Sequence, residues 1–160
     1  MLKHLDVTLR DGGYRNQFSF PLEYIIEHIK NLTKARVEYI EIGYRKGSFK
    51  PMANIGLTGL CSNDYVKSLR NAVPDAKLVI IAHPHNITQT DIRELKALGI
   101  SLLRLCLNKN DVESTFALCR YASSLGLCVS INITRVSQID VNYLRRIAMK
   151  AVNCGVDIFI

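Results

Sequence analysis

Leu2-Lys3-His4-Leu5-Asp6-Val7-Thr8-Leu9-Arg10-Asp11-Gly12-Gly13-Tyr14 is an apolar-rich run that stops abruptly on a cation, an anion and two glycines. The run predicts a first strand over Leu2–Leu9, with Arg10 and Asp11 delivered at its carboxyl end. A charge pair there suits chemistry better than packing, and the glycines let the backbone turn sharply and approach a ligand. A dinucleotide fold would follow its first strand with G-x-G-x-x-G. Arg10-Asp11-Gly12-Gly13 is a different pattern.

Further along, apolar runs of strand length recur at Val37–Ile42, Ala76–Ala82, Ser101–Leu107, Leu127–Ile133 and Val156–Ile160. Amphipathic stretches separate them, at Leu22–Ala35, Asn63–Ala72, Thr88–Leu98, Asp111–Leu125 and Asp140–Asn153. The runs are nearly continuous in apolar content, as in strands covered on both faces, which predicts a parallel sheet. Pro21 suits a first helical turn, Thr88-x-x-Asp91 a capping box, and Gly99, Gly126 and Gly155 left-handed helix ends. The order is therefore βα repeated, ending in a sixth strand. An open doubly wound sheet and the first part of a (β/α)8 barrel both satisfy it.

The chain of 160 residues carries a formal charge of +7, with 48% hydrophobic and 22% charged residues. Residues 1–160 are read as one domain, without a linker or low-complexity segment. Its basic residues are scattered, which predicts solvated faces and an anionic substrate before nucleic acid. No apolar run reaches the roughly 18 residues of a membrane helix, and the start lacks a signal-peptide core. Five cysteines without a C-x-x-C pair predict free thiols and a cytoplasmic location.

Ligands of either architecture bind at the carboxyl ends of the strands. Arg10 and Asp11 form either a capping salt bridge or an oxyanion-stabilising guanidinium beside a cation-binding carboxylate. Glu41, inside an apolar run, needs a partner, and Arg10 is the obvious one. Arg104 interrupts the fourth strand and must point at a partner, a barrel interior or solvent, a ligand carboxylate being one candidate partner. Asn132, Thr134 and Arg135 end the fifth. His83-Pro84-His85 has two imidazoles, but Pro84 predicts that the strand stops there, leaving solvated histidines rather than ligands. Cys106 is read as a buried thiol.

With these residues in place, Asp6-x-Thr8-Leu9-Arg10-Asp11-Gly12 resembles the opening signature of the metal-dependent aldolase and acyltransferase barrels. That superfamily includes 4-hydroxy-2-oxovalerate aldolase, hydroxymethylglutaryl-CoA lyase and isopropylmalate synthase. Gly12-Gly13-Tyr14 is most similar to its aldolase-type members, and Tyr39-Ile40-Glu41-Ile42-Gly43 to their second strand. The resemblance implies an α/β fold of (β/α)8 TIM-barrel type, truncated after strand six. It implies a lyase acting on a small 2-oxo acid through an enolate. Arg10 would bind and stabilise the enolate; Arg104 and Asn132, taken from their positions on the fourth and fifth strands rather than from the resemblance, are the further substrate-binding candidates. Glu41 would hold Arg10 or the metal-bound water in place, and Asp11 would ligate Mg2+, Mn2+ or Zn2+. Tyr14 stands where related aldolases carry a catalytic His, so proton transfer would pass to a phenol, a poor base near its ordinary pKa of ~10. The superfamily's H-x-H metal ligands belong to a seventh strand, so metal binding by six strands is expected to be weak or absent. The run Gly155-Val156-Asp157-Ile158-Phe159-Ile160 reads as an unfinished buried strand. It predicts completion by more of the same polypeptide, by a partner chain or by a homo-oligomer. The rival expectations are a non-catalytic interaction or regulatory module, and an open-sheet enzyme using His83 and His85.

Overall fold

The computed structural model describes residues 3–109 and 111–159. Six strands are all parallel and hydrogen-bond in the order β1-β2-β3-β4-β5-β6. They are β1 (Leu5–Asp6), β2 (Tyr39–Tyr44), β3 (Leu78–Ala82), β4 (Leu102–Leu107), β5 (Cys128–Ile133) and β6 (Ile158–Phe159). A doubly wound sheet reverses its strand order at a switch point. Unbroken sequential order is that of a barrel wall, and the sheet curls as a half-barrel of (β/α)8 type.

Five principal helices alternate with the strands: α2 (Leu22–Lys34), α4 (Asn63–Ala72), α5 (Gln89–Ala97), α6 (Val112–Ser124) and α7 (Val141–Asn153). Single turns α1 (Thr8–Asp11) and α3 (Leu57–Leu60) lie in the β1 and β2 loops. The capping box at Thr88 and Asp91 forms, and Gly99, Gly126 and Gly155 have φ of 76°, 67° and 70°. Pro21 is one position earlier than expected, as the cap of α2. No helix among the described residues is long and apolar enough to cross a membrane.

The two sheet faces bury different things. Alternate residues share a face. The outer set includes Ile40, Ile42, Leu78, Ile80, Leu103, Leu105, Val129 and Ile131, and packs with Ile25, Ile29, Leu69, Leu95 and Phe116 of the helices. Burying each of these side chains contributes about 1.5–3 kcal/mol. The inner face is layered. Leu5, Tyr39, Val79, Leu102 and Ile158 form one apolar floor, while Phe18, Tyr44, Ile81 and Cys106 form another cluster nearer the strand tips. Glu41, Arg104 and Ser130, all buried and polar, belong to this same inner set.

The first strand is shorter than expected. Leu5–Asp6 are extended, but Thr8–Asp11 wind into a helical turn, and the Asp6 side chain bends the chain just before it: Thr8 N donates to Asp6 Oδ1 at 3.1 Å and Thr8 Oγ1 to Oδ2 at 2.8 Å. Such a local side-chain-to-backbone bond competes with the strand ladder for the chain. Arg10 and Asp11 therefore leave a helical turn rather than a strand end. Predicted strand residues Leu2 and Ile160 lie outside the described residues.

The second strand carries a bulge. Glu41 is opposite Val79 but Tyr44 is opposite Ile81, so three steps on β2 match two on β3. Gly43 absorbs the extra residue at φ +140°. A side chain is excluded there, since a Cβ would lie 1.8 Å from the Thr58 carbonyl oxygen.

Candidate active site

A cavity of about 600 Å³ opens at the carboxyl ends of the strands. Each wall comes from a different βα junction: Arg10 and Tyr14 after β1, Tyr44 at the tip of β2, His83 after β3, Cys106 and Asn108 at β4, Asn132 and Thr134 at β5. Phe49, Lys109 and Arg135 add to the lining. The lining holds the cations Arg10, Lys109 and Arg135 and contains no carboxylate. Such a concavity is electrostatically suited to an anion.

Arg10 is fixed from below. Its Nε donates to Glu41 Oε1 at 2.6 Å, and its Nη1 pairs with Asp11. Burial opposes its charge, but Glu41 more than offsets this and holds the guanidinium pKa above its ordinary value. Glu41 is wholly buried, and its second oxygen accepts from Arg104 Nη1 at 2.5 Å. Arg104 Nη2 in turn donates to Asn132 Oδ1 at 3.0 Å. One carboxylate thus holds two guanidiniums, and the buried charges are paired and hydrogen-bonded as burial requires.

Arg104 is not part of the cavity lining; it sits behind Glu41 in the barrel interior. Asp11 also lies outside the lining, and its side chain is 62% exposed. Asn132 reaches the cavity while holding Arg104.

Tyr14 and Tyr44 share a hydrogen bond of 3.1 Å between their hydroxyls. Phe18, fully buried, packs edge-on against both rings, at 5.0 and 5.8 Å between centroids. Gly13 admits Phe18: a Cβ on it would lie 2.2 Å from that ring. Burial first, and then the bond with Tyr14, push the Tyr44 phenol well above its ordinary pKa. Burial, and next Glu41, push the Cys106 thiol up to about 12, so it is not a thiolate nucleophile at neutral pH.

The metal expectation was tested on the donor set. Among the described residues no group of three or more His, Cys, Asp or Glu side chains could hold a metal ion. Asp11 supplies a single carboxylate already engaged by Arg10. These residues do not themselves compose a coordination sphere. His83 and His85 stack on one another with centroids 5.5 Å apart rather than converging on a point between them.

Sequence reasoning missed Tyr44, Phe49 and the Arg104–Glu41 bond. Strict alternation would put Tyr44 on the face opposite Glu41. The glycine at position 43 was the available signal, since a strand glycine often marks a bulge.

Comparison with known proteins finds aldolase-type relatives. Over 154 residues the chain is 26% identical to the oxaloacetate decarboxylase of Mycobacterium tuberculosis, covering 96% of this chain and 45% of that protein. Over 122 residues it is 25% identical to the 4-hydroxy-2-oxovalerate aldolase of Brevibacillus brevis, covering 76% of this chain and 36% of the relative. The chain thus spans under half the length of these curated relatives. No family model matches it. In fold, it superposes on the N-terminal domain of a candidate aldolase from Bacteroides vulgatus with a TM-score of 0.71 at 20% identity, covering 99% of this chain and 71% of that one. In sequence and in fold the chain is thus similar to proteins of the aldolase-type TIM-barrel class. The solved structure it resembles is an N-terminal domain, and the named relatives are aldolases and a decarboxylase.

Proposed function

We propose that the cavity binds a small 2-oxo acid and serves aldolase-type lyase chemistry in the cytoplasm. The observation that carries this reading is Arg10, a cation on the wall of a carboxylate-free cavity, held there by the buried Glu41. When the C3–C4 bond of a 2-oxo acid breaks, its electron pair forms a C2=C3 double bond and the carbonyl pair moves onto the oxo oxygen, leaving an enolate, while C4 departs as a carbonyl compound (an aldehyde whose hydroxyl proton passes to a base, or carbon dioxide). A preorganised guanidinium stabilises that developing charge, and it needs no reorganisation at the moment of reaction. Arg10 is the catalytic and substrate-binding group in this reading. Glu41 and Arg104 position it, Asn132 contacts substrate while holding Arg104, and Tyr14 donates a hydrogen bond to the substrate from the Tyr14–Tyr44 pair. Asp11 would give a divalent cation one oxygen ligand.

Calorimetric titration with pyruvate and oxalate tests the reading. Arg10→Ala should lower affinity for both by about tenfold or more, as expected for a charge-assisted hydrogen bond worth roughly 1.5–3 kcal/mol. The fold should survive, since Arg104 still holds Glu41. Equal affinity in wild type and Arg10→Ala overturns the assignment of Arg10.

A second reading, a non-catalytic interaction module, is favoured by the exposure of Met149 and Val152 on α7 and of Phe159 on β6. Light scattering across a concentration series separates the two. Monomeric protein that binds oxalate supports the site, whereas a stable assembly that ignores both acids supports the module.

A further inference from the structure

Arg10 and Arg104 share the Glu41 carboxylate, and Arg45 and Lys46 meet Asp91. Lys109, Arg135 and Arg146 differ from these: among the described residues they enter no ion pair, although the fold brings all three to one region. Thr134 N and Oγ1 both donate to the Leu107 carbonyl, at 3.2 and 3.5 Å, which ties the tips of β4 and β5 together. Lys109 follows the first tip and Arg135 the second, and both line the main cavity. Like charges gathered without a counter-charge repel one another, and an anion that enters relieves the repulsion.

A smaller lobe of about 280 Å³ adjoins the main cavity, with which it shares Lys109, Gln138 and Ile139. The rest of its wall is Asp140, Tyr143 and Arg146, at the start of α7. The Arg146 guanidinium lies over the Tyr143 ring, 5.6 Å from the centroid, a cation–π contact that keeps it on the wall. Asp140 is the lobe's one carboxylate among the described residues, and its Oδ1 already accepts from the backbone amides of Asn142 and Tyr143, at 3.0 and 3.1 Å. Three cations less this one carboxylate leave a surplus of two positive charges. A phosphate monoester matches that surplus, with a charge of roughly −1.5 to −2 at neutral pH and three oxygens for a guanidinium and an ammonium; a carboxylate carries about half as much. Sites for drug-sized ligands span roughly 300–1,000 Å³, so the lobe suits one chemical group rather than a whole cofactor.

We propose that this lobe is a second anion site, in which Lys109 and Arg146, with Arg135 on the adjoining cavity wall, hold the phosphate of a small phosphomonoester whose remainder extends into the main cavity. The site stands apart from Arg10 and does not rest on the 2-oxo acid reading.

The test is calorimetric titration of the full chain, at low ionic strength, with inorganic phosphate, glycerol 3-phosphate and acetate. Wild type should bind phosphate about tenfold or more tightly than acetate, and glycerol 3-phosphate at least as tightly as phosphate. Lys109→Gln and Arg146→Gln should each weaken phosphate binding about tenfold or more, as the loss of a charge-assisted hydrogen bond does. Lys67→Gln, which removes the same charge from an exposed position on α4, should change it by less than about twofold. Lys109, Arg146 and Lys67 are all exposed, so the three variants should melt with wild type. Arg10→Ala should weaken phosphate binding less than Lys109→Gln does. No binding of phosphate, equal affinity for phosphate and acetate, no loss in Arg146→Gln, or equal losses in Lys67→Gln and Lys109→Gln overturns the inference. Exclusion of glycerol 3-phosphate from a site that takes free phosphate overturns the ester assignment. A larger loss in Arg10→Ala than in Lys109→Gln places the phosphate at Arg10 instead, which overturns the second site and leaves the role of Arg10 standing.

Discussion

Arg104 Nη1 and Glu41 Oε2 lie 2.5 Å apart in the barrel interior although 63 residues separate them in the chain. Glu41 reaches them from β2 and Arg104 from β4, across the intervening β3. Because Arg10 takes the other carboxylate oxygen, the position of a cavity guanidinium depends on a residue two strands away.

Glu41→Gln should therefore be among the most damaging single changes in the chain. It leaves two guanidiniums against a neutral amide, and breaking a buried ion pair from one side costs about 3–5 kcal/mol. Urea unfolding should show the midpoint falling at constant m-value. Arg104→Met should cost less, because Arg10 still neutralises Glu41. Equal losses in the two variants would mean that the carboxylate is not the shared element.

Gly43→Ala places a Cβ against the Thr58 carbonyl oxygen in a backbone conformation that L residues rarely adopt. The expected loss is about 3 kcal/mol or more, combining overpacking with local backbone strain. Thermal unfolding by circular dichroism measures it. A variant as stable as wild type would show that β2 can shed its bulge without penalty.

Acid should weaken the wild type through His83. Its imidazole pKa is depressed to about 4 in the folded chain from an ordinary 6.5, so between those values the unfolded chain holds a proton that the folded chain does not. Stability from this source is complete above pH 6.5 and falls as the pH drops toward 4. The upper limit of the loss is roughly 3 kcal/mol, at 1.36 kcal/mol per pKa unit. Around the ring, His85 deepens the depression and Asp111 opposes it. His83→Phe should shed this part of the slope, so the stability difference between variant and wild type should widen on acidification. Parallel curves from pH 7.5 to 4 would refute it.

Thiol chemistry offers a separate check on the core. Cys128 is exposed, while Cys61, Cys106, Cys119 and Cys154 are buried. Alkylation at pH 8 followed by mass spectrometry should label Cys128 rapidly and the other four only on unfolding. Fast labelling of Cys106 would contradict its raised pKa and its burial in the Tyr44–Ile81 cluster.

The βα alternation was legible because its signals are local and repeated: continuous apolar runs, a capping box at Thr88, and glycines where helices end. Arg10 and Glu41 were legible as a pair because each is costly where it stands without the other. Arg104 was recognisable as misplaced in an apolar run, yet its partner was not, since strand order is absent from a one-dimensional pattern. The end of β1 was misread for a related reason. Apolar residues through Leu9 suggested a strand, but the Asp6 side chain captures the Thr8 amide where a helical turn begins. His83 looked solvated because Pro84 ends the strand; the structure does end β3 at Ala82, but aromatic rings then close over the imidazole.

The bulge at Gly43 also sets the fate of the residue after Tyr44. With the extra residue, Tyr44 turns into the cavity, and Arg45 turns outward to Glu94 at 2.6 Å and Asp91 at 3.2 Å on α5. Deleting that one residue would exchange the two assignments, sending a guanidinium inward and taking it away from Glu94, left with Asn63, and from Asp91, left with Lys46. The tip of β2 therefore works as a phase marker in the chain. An insertion or deletion there would rewire the cavity and the helix layer together.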